Sequence, residues 1–185
     1  MASRDSELIT LAPDLDRPSP RRPAMPGARD DATVPARRTP LGVPGGLLGD
    51  SLEVARHLVR QPDVTLVVDG YNVAKLGWPE LGLADQRDRL LDVLEDLVRR
   101  IGVSTVVVFD GSDVNCPPTG RRLVRVRFTP RGVLADDEIR DLAARVLPAD
   151  RPVVVATNDN EVVKGVRSSG ANVISSESLL AISRR

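Results

Sequence analysis

The 185 residues carry 26 basic and 26 acidic side chains, 41% hydrophobic residues and 2% aromatics. That length builds one domain with a full core but hardly two, and zero net charge with a pI near 6.6 announces no global nucleic-acid binder, so any basic surface must come from local clustering. One cysteine, Cys116, and one histidine, His57, exclude an intramolecular disulfide and a Cys/His zinc site; both read as structural.

No apolar run approaches the roughly 20 residues of a membrane-spanning helix. Met1 to Thr10 is too polar for a signal-peptide core, so a cytoplasmic protein with no membrane partner is expected. Residues 1–46 hold about half of the 15 prolines, among mixed arginines and aspartates without apolar periodicity. Such a segment cannot offset the entropy of ordering and reads as a disordered Pro/Arg-rich tail or linker, with residues 47–185 as the folded domain. Its arginines, Arg17 to Arg22 and Arg37-Arg38, are countered by Asp14, Asp16, Asp30 and Asp31.

Asp50-Ser51-Leu52-Glu53 has the form of a capping box opening a short helix to about Arg60, with Leu52, Ala55, Leu58 and Val59 on one face, expected to lie as a lid on the sheet's edge. Thr65 to Val68 is a β-branched run suited to a strand buried on both faces. Asp85 can cap a helix to Ile101, with Leu90, Leu91, Leu94, Leu97 and Val98 in a stripe and Gly102 as the stop. A second strand spans Thr105 to Phe109. Leu123 to Phe128 alternates arginine with apolar residues, as a half-exposed strand near an edge does. A helix from Asp136 carries Ile139, Leu142, Ala143, Val146 and Leu147 at helical spacing and ends before Pro148. The strand Val153 to Ala156, a helix from Asn160 stopped at Gly170, a strand Asn172 to Ile174 and a helix Ser176 to Ser183 complete the chain. This alternation implies a three-layer α/β/α fold around a mainly parallel sheet.

Three of these strands end in acidic segments: Asp69-Gly70-Tyr71-Asn72, Asp110-Gly111 and Thr157-Asn158-Asp159-Asn160-Glu161; a fourth, Asp136-Asp137-Glu138, opens a helix. Parallel strands place their carboxyl ends along one rim, so these acids should converge in space. Convergent carboxylates repel one another unless a cation sits among them, and oxygen-only clusters suit Mg²⁺ or Mn²⁺. Taken singly, Asp-Gly reads as a turn and Asp136 as a helix cap; their joint placement favours a metal site. Asp69, Asp110, Asp136 and Asp159 are the main candidates, with Asp137 and Glu161 secondary and the Asn72 amide able to hold a carboxylate, water or phosphate. Arg121, Arg122, Arg125, Arg127 and Arg131 form a basic run beside them, which either protects an edge strand or contacts phosphate. Tyr71 and Trp78 could stack on bases, although packing beneath the loop after the strand is the plainer role.

The motifs VVDGYNV, VVFDG, ADDEI and VVVATNDNE, in this order from about Leu66 to Ile182, resemble the NYN domain group of PIN-like ribonucleases, especially its YacP-like branch. VRVRFTPRGVLADDEI is similar to actinobacterial members. The resemblance implies a PIN-like fold and a metal-dependent endoribonuclease with acids at Asp69, Asp110, Asp136 and Asp159, assisted by Asn72. Its partner would be RNA, single-stranded or structured, with the ribosome or RNA-processing proteins as further candidates. Strand-end Asp110 stands where general PIN domains carry a helical acid, which leaves the metal count open.

One or two Mg²⁺ or Mn²⁺ ions among these acids would activate a water and leave a 5′-phosphate and a 3′-hydroxyl, while Arg125, Arg127 and Arg131 hold the flanking backbone. A haloacid-dehalogenase-type phosphohydrolase lacks support because Tyr71 replaces the second aspartate of its nucleophile pair. A dinucleotide-binding domain lacks its glycine-rich turn. A non-catalytic RNA-binding adaptor with the same fold is the serious alternative.

Overall fold

Strands β1 (Thr65–Asp69), β2 (Ser104–Phe109), β3 (Val124–Phe128), β4 (Val153–Ala156) and β5 (Asn172–Ile174) form a five-stranded sheet in the order β3-β2-β1-β4-β5, with every pair parallel. The structure, a computed structural model, describes residues 38–47, 49–111, 123–130 and 132–184. Cys116, Arg121, Arg122 and Arg131 lie outside them.

Side chains alternate across the sheet with the period of two that pleated strands impose. Leu66, Val68, Val107, Phe109, Val154 and Ala156 face one core, and Val67, Val106, Val108, Val153 and Val155 face the other. The first core is covered by α1 (Leu52–Val59), α2 (Gly70–Gly77), α3 (Leu83–Ile101) and α6 (Ser176–Ser183), through residues such as Leu58, Val73, Leu94 and Leu179. The second is covered by α4 (Ala135–Asp141), a π-helical segment Leu142–Val146, and α5 (Asn160–Ser168), through Ile139, Leu142, Val162 and Val166. This is the expected α/β/α sandwich.

Several local expectations need correction. α1 is capped by the Ser51 hydroxyl, which accepts the Val54 N–H, rather than by an Asp50 box, and it packs against α6 instead of lying as a lid on the sheet's edge. α3 starts before Asp85, from Gly82, with Asp85 in its first turn. The helix expected from Asp136 to Leu147 changes to π geometry at Leu142. Arg38 and Leu41, within the stretch read as tail, are hydrogen-bonded to the domain.

The segment after β1, read as a turn, is helical at once: Asp69 caps α2 and Gly70 is its first residue. The glycine answers a close approach. A Cβ at Gly70 would lie 2.4 Å from the Phe109 ring and 2.7 Å from the Val108 carbonyl oxygen. Phe109 cannot yield readily, being fully buried with Tyr71 edge-on at 5.0 Å and Phe128 stacked at 5.8 Å. Gly70→Ala is therefore expected to destabilise by about 1–3 kcal/mol, as overpacking does. Thermal melts should show a Tm lower by roughly 2–4 °C per kcal/mol, and an unchanged Tm would contradict this account of the glycine.

Candidate functional site

The strand order reverses between β1 and β4, and in open α/β sheets such a reversal opens a crevice at the carboxyl rim. Asp69, the last residue of β1, is 6% exposed there. One of its oxygens accepts the Asn72 N–H at 3.4 Å, capping α2, and the other accepts the Thr157 hydroxyl across the crevice at 2.9 Å. Thr157 Oγ1 also accepts the Asp159 N–H at 3.0 Å, so one hydroxyl joins the ends of both strands. Asp159 caps α5, its Oδ1 accepting the N–H groups of Glu161 at 2.8 Å and Val162 at 3.1 Å.

Asn72 acts on this loop rather than through an open carbonyl. Its Oδ1 accepts the Asn158 N–H at 3.1 Å and the Ser176 hydroxyl at 2.7 Å. Asn158 extends the network, accepting the Ser176 N–H at 2.9 Å and donating to both Glu177 carboxylate oxygens at 3.1 and 2.9 Å. The asparagine thus holds the loop that carries Asp159 against α2 and α6.

Asp136 sits half-buried in the first turn of α4, whose N-cap is Leu134 with no side-chain cap bond, so capping does not explain this acid. Asp69, Asp110 and Asp136 line one open cleft of about 190 Å³ with Tyr71, Lys75, Leu134 and Ala135. Asp159 borders the same group through Thr157 and through its charge. The secondary candidates are engaged along their own helices: Asp137 pairs with Arg140 at 2.8 Å and Glu161 with Lys164 at 2.8 Å, all at the surface or half-buried. Arg127 pairs with Glu138 at 3.0 Å, near the first turn of α4, whereas Arg125 donates to Ser104 at the opposite end of β2. Tyr71 and Trp78 pack against the core, Tyr71 with its ring also on the cleft and Lys75 5.7 Å above it.

Lys75 escaped the sequence reading. Its signal was its place in VVDGYNVAK, where an α2 starting at Gly70 turns residues 71 and 75 to one side.

The electrostatics show that the acids sense one another. Burial raises the Asp69 carboxyl to about 6; hydrogen bonds from Thr157 and Asn72 work against that rise, and the charges of Asp136 and Asp159 add to it. Asp136 is raised by burial and by Asp159, moderated by Arg140, with smaller contributions from Asp137 and Asp110. Among the described residues no cationic side chain pairs with Asp69, and Arg140 reaches Asp136 at 4.0 Å. No group of three or more His, Cys, Asp or Glu among the described residues is arranged to hold a metal ion. The donor chemistry nevertheless fits a hard divalent cation: oxygen ligands, mutual repulsion, and a buried carboxylate with no counter-charge against it among the described residues.

A parallel β3-β2-β1-β4-β5 sheet between two helical layers, with acids on its carboxyl rim, is a PIN-like domain. Crystal structures of Rae1 (YacP) from Bacillus subtilis are similar. One is 28% identical with a TM-score of 0.57, covering 65% of this chain and 73% of that one; a single-residue variant is 26% identical with a TM-score of 0.54, covering 65% and 74%. Residues 66–184 match the YacP-like NYN domain, and the chain belongs to that family. No curated protein matches it. Membership supports a ribonuclease-type function with RNA as substrate or partner. Among the described residues no helix is long and apolar enough to cross a membrane.

The raised Asp69 carboxyl sets a stability prediction. Its folded state holds the proton more tightly than the unfolded chain, so the associated stabilisation is complete below the ordinary aspartate pKa and is lost as pH rises through about 6. Above that, ionised Asp69 costs the metal-free fold on the order of 3 kcal/mol. In EDTA, Asp69→Asn is expected to raise Tm by several degrees at pH 8 and to leave it nearly unchanged at pH 4. A variant less stable than the parent at pH 8 would refute the uncompensated-charge account.

Proposed function

We propose that this protein is a Mg²⁺- or Mn²⁺-dependent endoribonuclease acting at the rim of Asp69, Asp110, Asp136 and Asp159. The observation that supports it is the buried Asp69 carboxylate, repelled by Asp136 and Asp159 with no cationic side chain paired to it among the described residues, beside an open cleft bearing Lys75. Asp69, Asp136 and Asp159, with Asp110 directly or through water, would hold the ion, which when bound neutralises charge at the scissile phosphate and lowers the pKa of an attacking water. The protein's own residues orient the reaction. Thr157 fixes the Asp69 carboxylate by donating to it, Asn72 fixes the Asp159 loop, and Lys75 holds a phosphate oxygen at the cleft wall. Water attacks phosphorus in line, the bond to the 3′-oxygen breaks, and the products carry a 5′-phosphate and a 3′-hydroxyl. The chain's single histidine, His57 on α1, lies 3.3 Å from the Gln61 amide and does not line the cleft, so it is not placed to assist attack by the ribose 2′-hydroxyl there. Arg127, beside Glu138, and Arg131 would contact flanking backbone; Arg125 points away from this rim.

One observation favours the alternative, an RNA-binding adaptor: no three acids among the described residues are arranged to hold one ion. End-labelled single-stranded and structured RNA, incubated in Mn²⁺, Mg²⁺ or EDTA, separates the readings. Cleavage is expected with either metal, absent in EDTA, and lowered more than about 100-fold by Asp69→Asn with Asp159→Asn, beyond the loss typical of outer-sphere partners. Binding without cleavage in every condition would establish the adaptor, and 2′,3′-cyclic phosphate ends would remove the proposed chemistry. Lys75→Met should flatten the log-log salt dependence of RNA binding by about one contact in slope; an unchanged slope would place Lys75 off the phosphate path.

A further inference from the structure

Arg38 precedes the family-matched segment by 28 residues in number, from 38 to 66, yet it is 3% exposed. The cause lies at the end of the π-helical segment. There Leu147 N–H donates to Leu142 O at 3.2 Å, and the next donor in that register would be residue 148, a proline without an N–H. The last carbonyls are therefore left without helical donors. Arg38 supplies them. Its Nε donates to Ala143 O at 2.5 Å, Nη2 to Leu147 O at 2.5 Å, and Nη1 to Arg151 O at 2.9 Å and to Pro148 O. A guanidinium also suits the negative end of a helix dipole.

The same residue grips α5. Its backbone N–H donates to the carbonyl of Ser169, the C-cap of α5, at 3.1 Å. Gly170, at φ 88°, admits the Arg38 carbonyl oxygen, which an added Cβ would meet at 2.0 Å. Three residues on, Leu41 exchanges two hydrogen bonds with the Asn172 side chain at 2.8 and 3.1 Å, fastening the strap beside β5.

The two helical stretches joined at their C-terminal ends by Arg38 are those whose N-terminal ends carry Asp136 and Asp159. Each is roughly 13–18 Å long at about 1.5 Å per residue and stiff along its axis. A slip between the C-terminal ends would be carried along these stretches to the rim as a change in carboxylate spacing.

We propose that Arg38 is a positioning residue for the acid cluster, setting the separation of Asp136 and Asp159 from the far ends of their helices and placing the site under control of the segment upstream of the family domain. Its consequence for cleavage rests on the nuclease reading; the spacing itself does not. Lysine is a poor substitute, since three donors on one nitrogen cannot span carbonyls that the planar fork and Nε reach together.

The test uses the full chain. Nitroxide labels at Asp137→Cys and Glu161→Cys, in a Cys116→Ser background, report the rim spacing by pulsed electron resonance with Arg38, Arg38→Gln and Arg38→Lys. Direct Mn²⁺ titration and steady-state cleavage use the unlabelled chains at a temperature where circular dichroism shows them folded. A narrow distance distribution is expected with Arg38 and a clearly broader or shifted one in both variants. Mn²⁺ affinity and kcat should fall by about tenfold, in the range of outer-sphere losses, with KM within about twofold. If Arg38→Gln fails to fold, Arg38→Lys carries the same comparison. A lowered Tm with unchanged spacing, Mn²⁺ affinity and kcat would overturn the proposal by reducing Arg38 to a stabilising contact. Should the parent neither bind Mn²⁺ nor cleave RNA, the nuclease reading falls and the label distances still decide the spacing claim.

Discussion

Burial of the Asp69 carboxylate at the end of β1, with no cationic side chain against it among the described residues, is the constraint around which the rim is built. An ionised carboxylate removed from water is costly unless hydrogen bonds or an opposite charge offset the lost hydration. Here the Asn72 N–H and the Thr157 hydroxyl offset part of it, while Asp136 and Asp159 add repulsion. The Thr157 bond also determines geometry, because it crosses the gap between β1 and β4 where the strand order reverses. The same hydroxyl accepts from Asp159, so the position of the second acid follows from that of the first. Under the proposed function, stability and activity would pull in opposite directions at this point.

Strands and their acidic ends were legible in the sequence because both signals are local. A β-branched run between turn residues has few alternatives, and an aspartate directly after it must fall on the carboxyl rim once the sheet is parallel. What escaped depended on contacts distant in sequence. Gly70 looked like a turn residue because Asp-Gly usually is one, whereas its requirement comes from the Phe109 ring of the neighbouring strand. The change of helix type at Leu142 was foreshadowed by Pro148, but its stabilising partner, Arg38, lay in a stretch whose composition read as tail. The arginines of β3 formed a correct edge-strand pattern, yet charge counting could not foresee that Arg127 meets Glu138 while Arg125 meets Ser104. Asn72 stood out in the sequence for its place in Asp69-Gly70-Tyr71-Asn72; that its carbonyl is taken by Asn158 and Ser176 required the fold.

In the proposed nuclease, the balance of charge at the rim ties RNA binding to the metal. A polyanion approaching Asp69, Asp136 and Asp159 meets like charge at short range. A divalent ion among the acids would reverse that sign locally, so in the nuclease reading each ligand strengthens the other's binding by the same factor. An adaptor has no such need: its RNA contacts would lie away from the acids and persist when divalent ions are chelated. The overall neutrality of the chain sharpens the distinction, because its net charge supplies no long-range attraction for a polyanion. Coupling between RNA affinity and divalent ion concentration is therefore the thermodynamic property in which the two readings differ most, and it follows from the placement of like charges at the rim rather than from any rate.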